Sequence, residues 1–195
     1  MKHDVYDQES STGIDRESTS TGKGGSSKGG GEQELMMKKI EAAGTPGVPH
    51  KALGVLTGEW KAEVRCWMNP DQPPKVSQAQ SSVEWVLDGR FIKEKFHGDM
   101  MGQKFTGHCL IGFDNTKQKF NCLWVDDKHT SMFVSEGRGD ANYKIITLEG
   151  KGVCPVSGRT DVPMKQILHL HSPEKHVLEM FNDGKRSMEI TYTRS

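Results

Sequence analysis

Several absences narrow the class of this chain before any motif is read. No apolar run approaches the roughly 18 residues of a membrane-spanning helix. The charges cancel, with 26 Lys and Arg against 26 Asp and Glu, which removes the electrostatic reason to expect nucleic acid or an anionic membrane surface as a partner. The first residues lack the charged-then-apolar pattern of a secretory signal, so the expected compartment is the cytoplasm. Cysteine is sparse: Cys66, Cys109, Cys122 and Cys154 show no C-x-x-C spacing. A domain of this size needs no covalent staples, and free, mostly buried thiols are expected. The glycine runs have no strand-to-helix setting for phosphate, and no Ser, His, Asp spacing suggests a triad.

What is present divides into three parts. Residues 1–31 are dominated by Ser, Thr, Gly, Lys and Asp, a composition that cannot bury enough surface to offset its ordering entropy, and are expected to form a disordered tail. Residues 32–57 read as a helical cap. Glu32 to Ala43 has strong helix formers, early acids, later lysines and Gly44 as a stop. A shorter helical turn, His50 to Leu56, follows Pro46 and Pro49.

Residues 58–195 alternate with period two and carry turn residues about every ten positions, the pattern of half-buried strands. Ten strands are expected, with reversals at Asp88-Gly89, a type I′ signal, and at Asp114 to Gln118, Gly139 to Asn142, Ser172 to Lys175 and Asp183-Gly184. Consecutive strands on short turns make an up-and-down antiparallel sheet. Closing it into a β-barrel removes both exposed edges, so the fold class expected is all-β, a single ten-stranded barrel with an N-terminal helix. Trp60 opens the first strand and Arg194 ends the last on its large-residue face. Closure would lay that guanidinium over the indole by a cation–π contact.

Gly58-x-Trp60 after a short helix, with a basic residue ending the last strand, resembles the signature of the calycins, the lipocalins and fatty-acid-binding proteins. A closer resemblance covers about residues 36–194. It runs through Met37-Lys-Lys-Ile-Glu, His50-Lys-Ala-Leu, Leu87-Asp-Gly-Arg-Phe91, Phe96-His-Gly-Asp-Met-Met-Gly102, Gly112-Phe-Asp-Asn-Thr116, Trp124-Val-Asp126, Ser135-Glu-Gly137 and Met188-Glu-Ile-Thr-Tyr-Thr-Arg194. On these runs the chain is similar to an uncharacterised bacterial family of the calycin group known only as DUF1579. The resemblance implies the fold and is nearly silent on activity.

Candidate chemistry comes from the inner wall. Pairing Phe113 with Phe120 puts Ile111 across from Cys122 and Cys109 across from Trp124, and leaves Asp126 as an acid on an apolar face. Flanking Asp88-Gly89 with Leu87 and Arg90 sets Val83, Trp85, Ile92, Glu94 and Phe96 on one side, with Arg90 there to neutralise Glu94. A buried carboxylate is either half of an ion pair or a site, so Glu94 and Asp126 are the catalytic candidates if they converge. His169, His171 and His176 gather at one hairpin end if Ser172 to Lys175 pairs His171 with His176, which would make an open metal site. Haem through a histidine, as in nitrobindin-like barrels, is a further alternative. Met100-Met101 reads as a portal lid or a plain hairpin.

The leading expectation is non-catalytic binding of a small, mainly apolar molecule with no cofactor, in an interior built from Trp60, Val64, Trp85, Ile92, Phe105, Cys109, Trp124, Phe133, Met188 and Tyr192, with Asp126 among the ligand-binding residues. An enzyme using the inward carboxylates is the alternative. Composition does not decide the oligomeric state.

Overall fold

The computed structural model describes residues 28–69, 71–100 and 102–195. The tail expected over residues 1–31 therefore lies outside it up to residue 27, as does Met101 of the proposed lid. The chain forms two compact units, Met1–Met37 and Lys38–Ser195. In the first, the described residues are helical from Lys28. That helix, α1 (Lys28–Gly44), keeps Leu35, Met36, Met37 and Ile40 exposed.

The second unit continues from the last turn of α1 through α2 (Val48–Leu53) and a single 3-10 turn (Gly54–Leu56) into ten strands. These are β1 (Gly58–Cys66), β2 (Lys75–Val86), β3 (Phe91–Met100), β4 (Gln103–Asp114), β5 (Lys119–Asp126), β6 (Phe133–Gly139), β7 (Ile145–Cys154), β8 (Arg159–Ser172), β9 (Lys175–Asn182) and β10 (Lys185–Arg194). Each pairs antiparallel with its sequence neighbours, and β1 pairs with β10, so the sheet is a closed barrel without a free edge. Alternation drives this. Along β1, Trp60 and Ala62 are buried and Lys61 and Arg65 exposed, and the wall keeps that inside-outside sense from strand to strand.

The register carries Trp60 opposite Arg194. The guanidinium lies over the indole at 4.2 Å and donates to the carbonyls of Pro173, Thr57 and Val55 at 2.7, 3.0 and 3.3 Å. The Trp60 Nε1–H donates to Leu56 O at 2.8 Å. Gly58 is required beside them: its φ is +121°, and a Cβ there would stand 2.4 Å from Arg194 Nη1.

The strand pairings of the two hairpins read from sequence are those observed: Phe113 faces Phe120, Cys109 faces Trp124, Trp85 faces Ile92 and Val83 faces Glu94. The wall ends sooner than expected at the β2–β3 turn. Leu87, Asp88 and Gly89 all have positive φ, so the strand twists out of plane at Leu87. Leu87 and Arg90 are exposed, and Arg90 donates to Leu87 O and stands 4.0 Å from Asp88 instead of entering the interior. Trp85, expected inside, is 38% exposed. Its indole packs beside Gly54, at the end of the barrel that the helical turn covers.

Candidate functional site

The two ends of the barrel differ. At the end carrying α2, Leu53, Leu56, Trp60 and Phe120 are almost wholly buried. His50 accepts the Gly47 N–H through Nδ1 at 3.0 Å and meets Phe113 edge-on, and Asn115 from the β4–β5 turn donates to the carbonyls of Ala42, Ala43 and Thr45. This end is plugged. At the opposite end the inward side chains Val64, Phe105, Phe133, Met164, Met180 and Met188 all keep part of their surface accessible, forming an apolar, methionine-rich mouth. Asn182 Oδ1 is buried there with no hydrogen-bond partner among the described residues.

Between plug and mouth the lumen holds a ring cluster from several strands. Phe96 lies 6.1–6.3 Å from the rings of Phe105, Trp124 and Tyr192. Gly107 makes room for Trp124: a Cβ there would fall 2.2 Å from the indole. Ile92 and Cys109 are buried in the same wall.

Glu94 stands in the middle of this wall, opposite Val83 on β2 and Cys109 on β4. Ser81 Oγ donates to its Oε1 at 2.6 Å, and the Tyr192 hydroxyl also bonds the carboxylate. Desolvation raises its pKa, and the two hydrogen bonds oppose the rise without cancelling it. Burial, reinforced by the Glu94 charge, pushes the Tyr192 hydroxyl well above its ordinary value. Glu94 is half-buried as a residue. Next to it, Cys109 and Cys122 are both buried with sulfurs 3.2 Å apart, and the contact with Cys122 together with burial lifts the Cys109 thiol well up. A carboxyl held this way can accept a donor from a bound molecule or carry a proton to it.

Asp126 plays a different part. Burial works to raise its pKa, but hydrogen bonds from the Trp124 indole, the Lys128 N–H and His129 hold it below the usual carboxylate value. It is engaged at the rim by its own loop, and the register sets it opposite Gly107, not beside Glu94. The two acids do not share a site.

Nor do the three histidines. A bulge at His171 pairs Leu170 with His176 and Ser172 with Lys175, which turns His176 inward and leaves His171 outside. His169 and His171 stack on the outer wall with centroids 5.8 Å apart, and His169 Nε2 bonds Glu179 at 2.9 Å. His176 stacks on Tyr192 at 4.2 Å and meets Trp60 edge to face, and burial beside Arg194 pulls its pKa down to about 3. Among the described residues no cluster of three His, Cys, Asp or Glu could hold a metal ion.

Sequence reasoning overlooked Ser81 and Tyr192 as partners of Glu94. Both lie on inward positions of their strands: Ser81 is the diagonal neighbour of Glu94 in the β2–β3 ladder, while the approach of Tyr192 from β10 depends on closure of the barrel, which alternation alone does not reveal. A depression of about 560 Å³ between Lys61, Arg65, Gln78 and Glu189 lies on the outer wall, away from these groups. No described helix is long and apolar enough to cross a membrane.

Among curated proteins, none matches the chain. Two redesigned beta barrels of known structure are similar to it: one at 13% identity over 74% of this chain and 95% of its own, with a TM-score of 0.42, and mFAP0 bound to DFHBI at 11% identity over 72% and 99%, with a TM-score of 0.40. A protein of unknown function from the DUF3598 family of Nostoc punctiforme is 15% identical over 78% of this chain, which spans about half of that protein (53%), with a TM-score of 0.29. The family described as "Protein of unknown function (DUF1579)" matches residues 45–194, from just before α2 to the end of β10. With closure, plug and lumen all inside that span, the chain belongs to the DUF1579 family.

Proposed function

We propose that this barrel binds one small, mainly apolar molecule in its lumen, entering through the methionine-lined mouth. The observation that carries the reading is the contrast in burial. Leu53, Leu56, Trp60 and Phe120 are closed over at the plugged end, while Val64, Phe105, Met180 and Met188 keep accessible surface toward the mouth. A concave apolar wall with a few fixed polar groups suits a small-molecule site, and flexible thioethers adapt to an irregular ligand. Glu94 and Asn182 are the polar groups that would orient it. Native mass spectrometry of the purified protein is expected to show a co-purifying small molecule, lost in Met180→Lys. An apolar fluorescent probe such as anilinonaphthalene sulfonate should bind the wild type and be weakened by the same substitution. Probe binding that Met180→Lys leaves unaltered overturns the reading.

A second reading, proton transfer by Glu94 to a bound substrate, is favoured by its raised pKa and its bonds to Ser81 and Tyr192. Turnover of a bound molecule that Glu94→Gln abolishes without loss of binding would support it.

A further inference from the structure

We propose that the lumen selects an apolar molecule whose head group is an amine, and rejects the corresponding carboxylate. The inference rests on the lumen-binding reading above and adds the chemistry of the head group.

The argument starts from the charges that face inward. The strand register puts one carboxylate, Glu94, on the wall of the lumen itself, with Phe96 and Cys109 beside it and the Phe105 and Trp124 rings toward the mouth. Asp126 is committed to its own loop by the Lys128 and His129 N–H groups. No lysine faces Glu94: Lys93 and Lys95 on its own strand alternate outward, and Lys75 and Lys185, which hold inward register positions opposite Cys66 and Asn182, stand exposed at the rim of the mouth. Arg194 is the inward cation, and it is spent at the plug on the Trp60 face and three backbone carbonyls. His176 is buried between Trp60 and Tyr192.

A fatty carboxylate reaching the depth of Glu94 would bring a second negative charge beside it with no cation there to receive it, an arrangement that costs both desolvation and repulsion. An ammonium group meets the opposite situation. It brings three donors to a carboxylate already held in place by Ser81 and Tyr192, and its charge cancels the one the lumen carries. An amine also fits if Glu94 holds a proton before binding, because transfer of that proton to the amine nitrogen produces the same ion pair. A neutral alcohol gains the hydrogen bond without the charge. The expected order is therefore amine, then alcohol, then carboxylate.

The test uses three eight-carbon probes that share one apolar tail: octylamine, octanol and octanoate. Titration calorimetry on the full chain at pH 7 is expected to find octylamine binding about tenfold or more tighter than octanoate, the value of one charge-assisted hydrogen bond. In Glu94→Gln, which keeps the shape of the side chain, that preference should fall to about threefold or less, while octanol affinity changes little. Octanoate binding as tightly as octylamine, or an amine preference unchanged in Glu94→Gln, overturns the head-group proposal and leaves the lumen reading standing. Failure of all three probes, octanol included, overturns the lumen reading and the proposal together.

Discussion

The plugged and open ends of this barrel use the same alternation of residues for different purposes. At the plug Leu53, Leu56, Trp60 and Phe120 are covered and the main donors are satisfied, Trp60 by Leu56, Arg194 by three carbonyls and Asn115 by the end of α1, while His176 Nδ1 is buried there without a hydrogen-bond partner among the described residues. At the mouth the inward residues are just as apolar, yet they remain partly uncovered, and Asn182 holds a buried acceptor without a partner. The comparison separates stability from function. Closure is concentrated where the chain is tied off, which frees the other end from having to be filled.

Substitutions at the two ends test that separation. Trp60→Ala removes the most buried aromatic of the seam and the platform under Arg194, and should cost about 3–5 kcal/mol of unfolding free energy by urea titration. Phe133→Ala at the mouth should cost far less, about 1 kcal/mol, and act mainly on ligand binding. A mouth variant as destabilising as the plug variant would break the comparison.

Acid should strike the plug next. His176 folds with a pKa near 3 against 6.5 in the unfolded chain, so the unfolded chain takes up the proton first as pH falls. Its contribution is fully present above pH 6.5 and is lost on going down toward pH 3, on the order of 5 kcal/mol. Urea midpoints at pH 7, 5 and 4 should fall more steeply in wild type than in His176→Phe.

Gly107→Ala works from the lumen side. The added methyl displaces the Trp124 indole and with it the bond to Asp126, at a cost of about 1–3 kcal/mol. Trp124 fluorescence reports the displacement directly.

The smallest effect has the opposite sign. Because the Glu94 pKa is raised in the fold, its contribution is present at low pH and shrinks as pH rises through the folded value. Glu94→Gln should therefore stabilise the protein by about 1 kcal/mol at pH 8, with the gain fading below pH 4.5. A stability gain that is the same at both pH values would sink this account of Glu94.

Much of the wall was legible in the sequence because a period of two leaves little freedom once one hairpin is placed. Fixing Phe113 opposite Phe120 determined Cys109, Trp124 and Asp126, and the turn at Asp88-Gly89 determined Val83 and Glu94. The diagonal approach of Cys109 to Cys122 follows from that same register and could have been read from it. What escaped came from departures within the wall. Positive φ at Leu87 took Arg90 out of the interior and left Trp85 partly exposed, and one extra residue at His171 put the histidines on opposite faces. Of the partners of Glu94, Ser81 is its diagonal neighbour across the β2–β3 hairpin and could have been read from that register, whereas Tyr192 comes from β10 and reaches Glu94 only through the closure of the barrel, which no local pattern encodes.

The seam also bears on how the protein folds. The Arg194 bond to Thr57 joins residues 137 positions apart, so the last ladder to form carries the largest loop-closure entropy in the barrel. Until it forms, β1 and β10 are unpaired edges open to a second chain, and slow refolding with concentration-dependent aggregation is the expected kinetic signature.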